Sequence, residues 1–240
     1  MKFLLLAAFP MLCLSGLSQN IQFHYDFRHT TNPDLNPKNF PAFSFEYFKN
    51  TDTVGNGSFL LKINAQLDGT RNNTGQVFTQ ISQSLKFWKP KIYLSLSYSG
   101  GLGVTPSSYG FYIASSFGVG VSFPFRWNGA WIATALSFRY NAFNRPSYDP
   151  QLTFYFGKGF FNYGLFCAGS FVFWTQNKNQ GNEDTRYLKG KKFAFFGDPQ
   201  LWIKIKNGFS AGSRINVYYH LLTDDDQIQI YPTIGIKYQF

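Results

Sequence analysis

Hydrophobicity in this chain alternates with a period of two, and it does so along nearly the whole length. In "IQFHYDFR" (21–28), Ile21, Phe23, Tyr25 and Phe27 take one set of positions, and Gln22, His24, Asp26 and Arg28 take the other. Successive side chains of a strand point to opposite faces, so such a segment is a ribbon with one apolar and one polar face. The pattern recurs at 42–48, 59–67, 77–87, 91–99, 109–124, 131–141, 150–157, 160–174, 192–205, 209–221 and 227–240. With residues 20–28 that makes about twelve strands. Two all-β folds accommodate them. A soluble sandwich turns the apolar faces inward, whereas a membrane barrel turns them outward to lipid and leaves the polar faces to line a lumen.

Composition favours the barrel. Aromatic residues make up 20% of the 240 and charged residues only 14%, against roughly a quarter charged in soluble domains. Yet beyond the N-terminus there is no apolar run near the roughly 20 residues a membrane helix needs. Barrel strands reconcile the two, because lumen residues dilute the apolar ones one to one. The connections have a parity as well. After even-numbered strands they are mostly tight ("WKPK" 88–91, "FRWNGA" 125–130, "GKGF" 157–160, "KNGF" 206–209), with 50–57 somewhat longer. After odd-numbered strands they are mostly longer and more polar (29–41, 68–75, 100–108, 142–149, 175–191), the last, 222–226, being short. Short periplasmic turns and long outer loops distinguish outer-membrane barrels, so both termini are expected in the periplasm. Aromatics crowd the short-turn ends (Trp88, Phe123, Phe125, Trp127, Trp131, Phe156, Phe160, Phe161, Tyr238, Phe240), as an interfacial girdle would.

Residues 1–18 read as an export signal, leaving 19–240 as the barrel. Lys2 is followed by the apolar "FLLLAAFPMLCL", and Gly16 and Ser18 are the small residues before a cut ahead of Gln19. Met11 and Leu12 before Cys13 do not fit lipoprotein processing. After cleavage Cys167 stands alone, so no intrachain disulfide is expected. A net charge of +10 would favour nucleic acid in a cytosolic protein, but an exported chain has no such partner. The expected surroundings are outer-membrane lipid and lipopolysaccharide. The lysines of 176–192 are candidate contacts for lipopolysaccharide phosphates, though a plain hydrophilic loop explains them equally.

The alternation also sorts the lumen. Its acids are Asp26, Glu46 and Asp198, and its bases are Arg28, Lys62, Lys86, Arg139, Lys204, Arg214 and Lys237. Its aromatics include Tyr93, Tyr155, Trp202, Tyr218 and Tyr231. In "FFGDPQLWIKI" (195–205) the phase runs through Pro199, which cannot donate to a ladder and marks a local distortion. Candidate solute-binding residues are therefore His24, Asp26, Arg28, Glu46, Asp198, Trp202, Arg214, Asn216, Tyr218, His220 and Tyr231. Aromatic faces stack on flat rings, and amides, carboxylates and guanidinium groups hydrogen-bond to their edges. The plainer account of each charge is a salt-bridge network that fills the barrel. Neither a metal-ligand cluster nor a nucleotide loop is present, and no cofactor is expected.

The segments "FHYDFR", "FEYFK", "ISQSLKFWK", "SYSGGLG" and "FFGDPQLWIKI" resemble the nucleoside-specific outer-membrane channels (Tsx-like) in their Bacteroidetes branch. The C-terminal "IGIKYQF" resembles the signature, ending in an aromatic such as Phe240, that the barrel-assembly machinery recognises. The first resemblance implies a twelve-strand monomeric barrel that passes nucleosides by facilitated diffusion. Two alternatives stand beside it. One is a structural or general-diffusion barrel without nucleoside selectivity. The other is a barrel hydrolase. Against the hydrolase, His24 and His220 are lumen-phase and His29 lies in a loop, so no Ser–His pair faces lipid. The pairing of His220 with Asp224 or Asp225 in "HLLTDDD" is also what a solvated acidic turn looks like. The chain is therefore expected not to be an enzyme.

Overall fold

The computed structural model describes residues 17–240, apart from 51–56, 70–72, 88, 105–108, 143–144, 182, 184 and 223–225. Its elements in chain order are β1 (Leu17–Asp26), α1 (Arg28–Thr31), β2 (Phe40–Asn50), β3 (Gly57–Gln66), β4 (Gln76–Leu85) and β5 (Tyr93–Val104). Then follow β6 (Gly110–Trp127), β7 (Ala130–Asn141), β8 (Ser147–Phe160), β9 (Leu165–Asn177), β10 (Lys191–Gly197), β11 (Gln200–Lys206), β12 (Phe209–Tyr219) and β13 (Gln229–Gln239). From β1 to β9 each strand pairs antiparallel with its neighbours in sequence, as do β12 and β13, and β1 also pairs with β13, which closes the sheet. Closure leaves no unpaired edge, the condition a sheet must meet in lipid.

Thirteen segments make a twelve-strand ring. β10 and β11 both lie between β9 and β12, and their pairings (Gly197↔Val217 and Gln200↔Arg214 on one side, Gly197↔Phe171 and Gln200↔Ala168 on the other) share one register. The interruption is Asp198–Pro199. There the Asp198 N–H still donates to the Ser170 carbonyl at 3.0 Å, and the Pro199 carbonyl accepts from the Ile215 N–H at 2.9 Å. Phase is thus kept through the proline, as the alternation predicts. Opposite it, Gly169 has φ +156, and a Cβ there would lie 2.8 Å from both the Asp198 carbonyl oxygen and the Pro199 Cα. Only glycine fits such a close approach. A Gly169→Val variant is expected to lose about 1–3 kcal/mol from backbone conformation alone, read as a lower urea midpoint for unfolding from lipid vesicles.

Burial follows the alternation. In β1, Gln22, His24 and Asp26 are buried, while Phe23 and Tyr25 are 43% and 41% exposed. The same inversion runs round the ring: Val119, Val121, Leu136, Phe138, Ile203, Ile234 and Ile236 all face outward and exposed. A continuous apolar belt of this kind is an error in water and a requirement in lipid. The apolar face of β1 therefore sees lipid and its polar face the lumen.

The tight turns use the expected chemistry. Asn128–Gly129 (φ 46 and 75) and Asn207–Gly208 (φ 50 and 83) are left-handed at both positions, as two-residue hairpins require. One turn departs from expectation. "GKGF" (157–160) stays in β8, and the chain reverses at 161–164, where Phe161, Asn162 and Tyr163 take φ of 51, 52 and 62. The Gly-Lys-Gly spacing looks like turn chemistry, but Gly157, Lys158 and Gly159 pair in register with Ala168, Cys167 and Phe166. The start of β1 and the end of β13 lie at one end, since Asn20 pairs with Gln239. Residues 1–16 of the expected signal, and Trp88 of the expected girdle, lie outside the described residues; Leu17 and Ser18 pair with Lys49 and Phe48. Trp131 is a correction to the expected girdle. It shares the lumen phase of Ala133 and Ala135, and its ring lies 5.4 Å from that of Phe48, inside the barrel.

Candidate functional site

Across the middle of the lumen runs a belt of polar contacts between strands that are not neighbours. Lys62 on β3 reaches Asp198, at the interruption between β10 and β11, with Nζ 3.1 Å from Oδ2. The other oxygen of Asp198 accepts from the Ser170 N–H at 2.7 Å and the Ser170 hydroxyl at 2.6 Å. Arg214 on β12 donates through Nη1 to Ser44 Oγ on β2 (3.1 Å) and to Asn64 Oδ1 on β3 (3.2 Å). Gln80 on β4 donates to the Tyr155 hydroxyl on β8 at 3.1 Å. These chords are possible because a twelve-strand ring is narrow enough for long side chains to meet across it.

On the long-loop side of the belt the lumen is packed. His24, wholly buried, holds Thr233 Oγ1 and Gln22 Oε1, each at 2.8 Å, through its two ring nitrogens. Arg28 grips Asp26 with two guanidinium contacts, Nη2–Oδ2 at 2.9 Å and Nε–Oδ1 at 3.2 Å. Its guanidinium also lies over the rings of Phe40 and Tyr231, at 4.6 and 5.1 Å. Tyr218 sits 6.0 Å from Tyr231 ring to ring, and Asn216 pairs with Tyr231 in register. The connection after α1 folds into this end: Asn36 donates to the Tyr231 hydroxyl at 3.2 Å. On the opposite wall, Arg139 donates to Ser116 Oγ at 2.7 Å and covers the Trp174 ring at 5.1 Å.

The terminal side of the belt is open. A cavity of about 600 Å³ fills the half of the barrel that holds the start of β1, the end of β13 and the short turns. One wall is small and hydroxylic: Ser58, Ser82, Ser84, Ser95 and Ser122. The facing wall is aromatic and basic, with Trp131, Tyr155, Phe166, Trp202, Lys204 and Lys237. Glu46 and Lys62, paired in register, belong to the same lining.

The eleven candidate residues therefore separate. Glu46 and Trp202 line the cavity, and Asp198 and Arg214 build the belt. His24, Asp26, Arg28, Asn216, Tyr218 and Tyr231 lie in the packed half. His220 is a correction. It follows the last residue of β12 with φ 54, leaves the alternation, and bonds to the Phe193 carbonyl (2.8 Å) and Asp226 (2.7 Å) at the loop rim. A strand's parity does not extend past a left-handed residue. Asp224 and Asp225, its expected partners, lie outside the described residues. Two of the rings expected to stack on a solute are covered: Trp202 is 2% and Tyr231 1% exposed. What residue-by-residue reasoning missed is the hydroxylic wall and the Trp131–Phe48 pair. Parity alone places them in the lumen, since Trp131 lies in step with Ala133 and Ala135.

Residues 18–240 match the model of DUF5020, described as a domain of unknown function. No match is found among curated proteins. Among solved structures, the NanC porin is 10% identical and superposes over 92% of this chain and 100% of its own, with a TM-score of 0.52. LpxR from Salmonella typhimurium is 10% identical over 93% of this chain and 100% of its own (TM-score 0.48). The KdgM porin in complex with disordered oligogalacturonate is 8% identical over 92% and 99% (TM-score 0.45). At such identities the likeness to NanC extends to the fold. That fold, with its apolar outer belt, is that of a bacterial outer-membrane barrel.

Proposed function

The chain belongs to the DUF5020 family, and we propose that it is an outer-membrane channel for small polar solutes, with nucleosides the first class to test. The observation that carries this reading is the cavity of about 600 Å³ inside a closed barrel, walled by hydroxyls on one side and by aromatics and lysines on the other. Such a surface holds a polar solute by several weak contacts and releases it, as facilitated diffusion requires. The belt and the packed half beyond it hold the channel closed, and passage needs the Lys62–Asp198 and Arg214–Asn64 contacts to part. In this reading residues 1–18 are removed on export, the termini face the periplasm, Phe240 guides assembly, and the chain is not an enzyme.

Proteoliposomes carrying the refolded protein test the reading. Adenosine and thymidine are expected to enter faster than a disaccharide, and uptake no faster than in empty liposomes would overturn it. A second reading, a permanently occluded structural barrel, is favoured by one observation, the number of bonds that cross the lumen. Equal exclusion of every solute is its signature.

A further inference from the structure

Trp202 is enclosed from two directions. Lys237 Nζ lies over its ring at 4.7 Å, and His24 meets it edge-on with ring centres 5.5 Å apart. The ring that would stack a neutral base is instead the seat of a cation. The same ammonium lies 5.5 Å from the ring of Phe166, and among the described residues it has no carboxylate within ion-pair distance. Lys204, two residues from Trp202 on the same face of β11, lines the cavity with it. The third lysine of the lining, Lys62, is committed to Asp198, and Glu46 is the acid of the lining. The cavity thus presents two cations that have no ion-pair partner among the described residues, beside a wall of hydroxyls.

We infer that the cavity is a binding site for small anionic solutes, with Lys237 and Lys204 receiving a phosphate or carboxylate and the serine wall receiving hydroxyls. This deepens the channel reading and rests on it for its biological meaning. The binding itself does not require that the barrel conduct.

The test is equilibrium binding to the refolded full chain in detergent, followed by intrinsic tryptophan fluorescence, with two matched pairs: uridine against uridine monophosphate, and glucose against glucose 6-phosphate. In each pair the phosphorylated member is expected to bind about tenfold more tightly at low salt, with the difference shrinking as salt screens the lysines. The double variant Lys237→Gln, Lys204→Gln is expected to abolish the difference, and Lys178→Gln, in the connection after β9, to preserve it. A spectrum and urea midpoint matching the parent establish that the double variant is folded. If it is not, Lys204→Gln alone is expected to reduce the difference. Equal affinity within both pairs, or a difference the variants leave unchanged, overturns the anion site. Solute uptake without this preference would leave the channel reading standing and remove the anion site alone. Preferential binding without uptake would do the reverse.

Discussion

Replacing Lys62 by alanine is expected to cost about 3–5 kcal/mol of stability, because it leaves a buried carboxylate without its cation. Asp198 is 7% exposed at its side chain, and Lys62 is its ion-pair partner among the described residues. The bonds from Ser170 remain and keep the carboxylate in place, so the loss is electrostatic rather than a collapse of the site. The double variant Lys62→Met, Asp198→Asn removes both charges and is expected to recover most of the loss, since neutral groups of similar volume often replace a buried pair without penalty. Urea unfolding from vesicles reads both. Recovery in the double variant identifies coupling between the two residues, and additive losses would show that they act independently.

The second large effect lies on the outer face. Leu136, near the middle of β7, is 56% exposed and belongs to the apolar belt. Leu136→Arg is expected to lose about 2–4 kcal/mol, the cost of a cation on the lipid face of a barrel near the midplane. Its neighbour Ser137 is buried and faces the lumen. Ser137→Asn, one residue away, is expected to cost far less, because a polar lumen accepts an amide. The contrast is specific to a membrane barrel. In a soluble sandwich the order would reverse, with the polar substitution on the exposed residue tolerated.

The architecture was legible because a period of two repeated about twelve times leaves only a sandwich or a barrel, and the scarcity of charge and the parity of the connections choose the barrel. Strand parity placed Asp198 and Trp202 in the lumen on either side of a proline, and it failed at His220, where the strand has ended. The 161–164 reversal was not legible, because three successive left-handed residues depend on the β8–β9 register and not on Gly-Lys-Gly. The candidate site was legible only in part. Parity says that Arg28, Tyr231 and Trp202 point inward. Whether they meet a solute or each other depends on the ring's diameter and on the fold of the first long connection, which brings Asn36 to Tyr231. Those are tertiary facts. The same limit hid the cavity, whose hydroxylic wall is assembled from five serines on four strands.

Single-channel conductance in a planar bilayer tests the account most directly, with the parent chain and the Lys62→Met, Asp198→Asn variant side by side. The parent is expected to show brief openings separated by long closed intervals, and the variant, with one chord of the belt removed, longer openings of the same unit conductance. A steady open current from the parent would contradict the belt as the closure. Silence from both would contradict the channel.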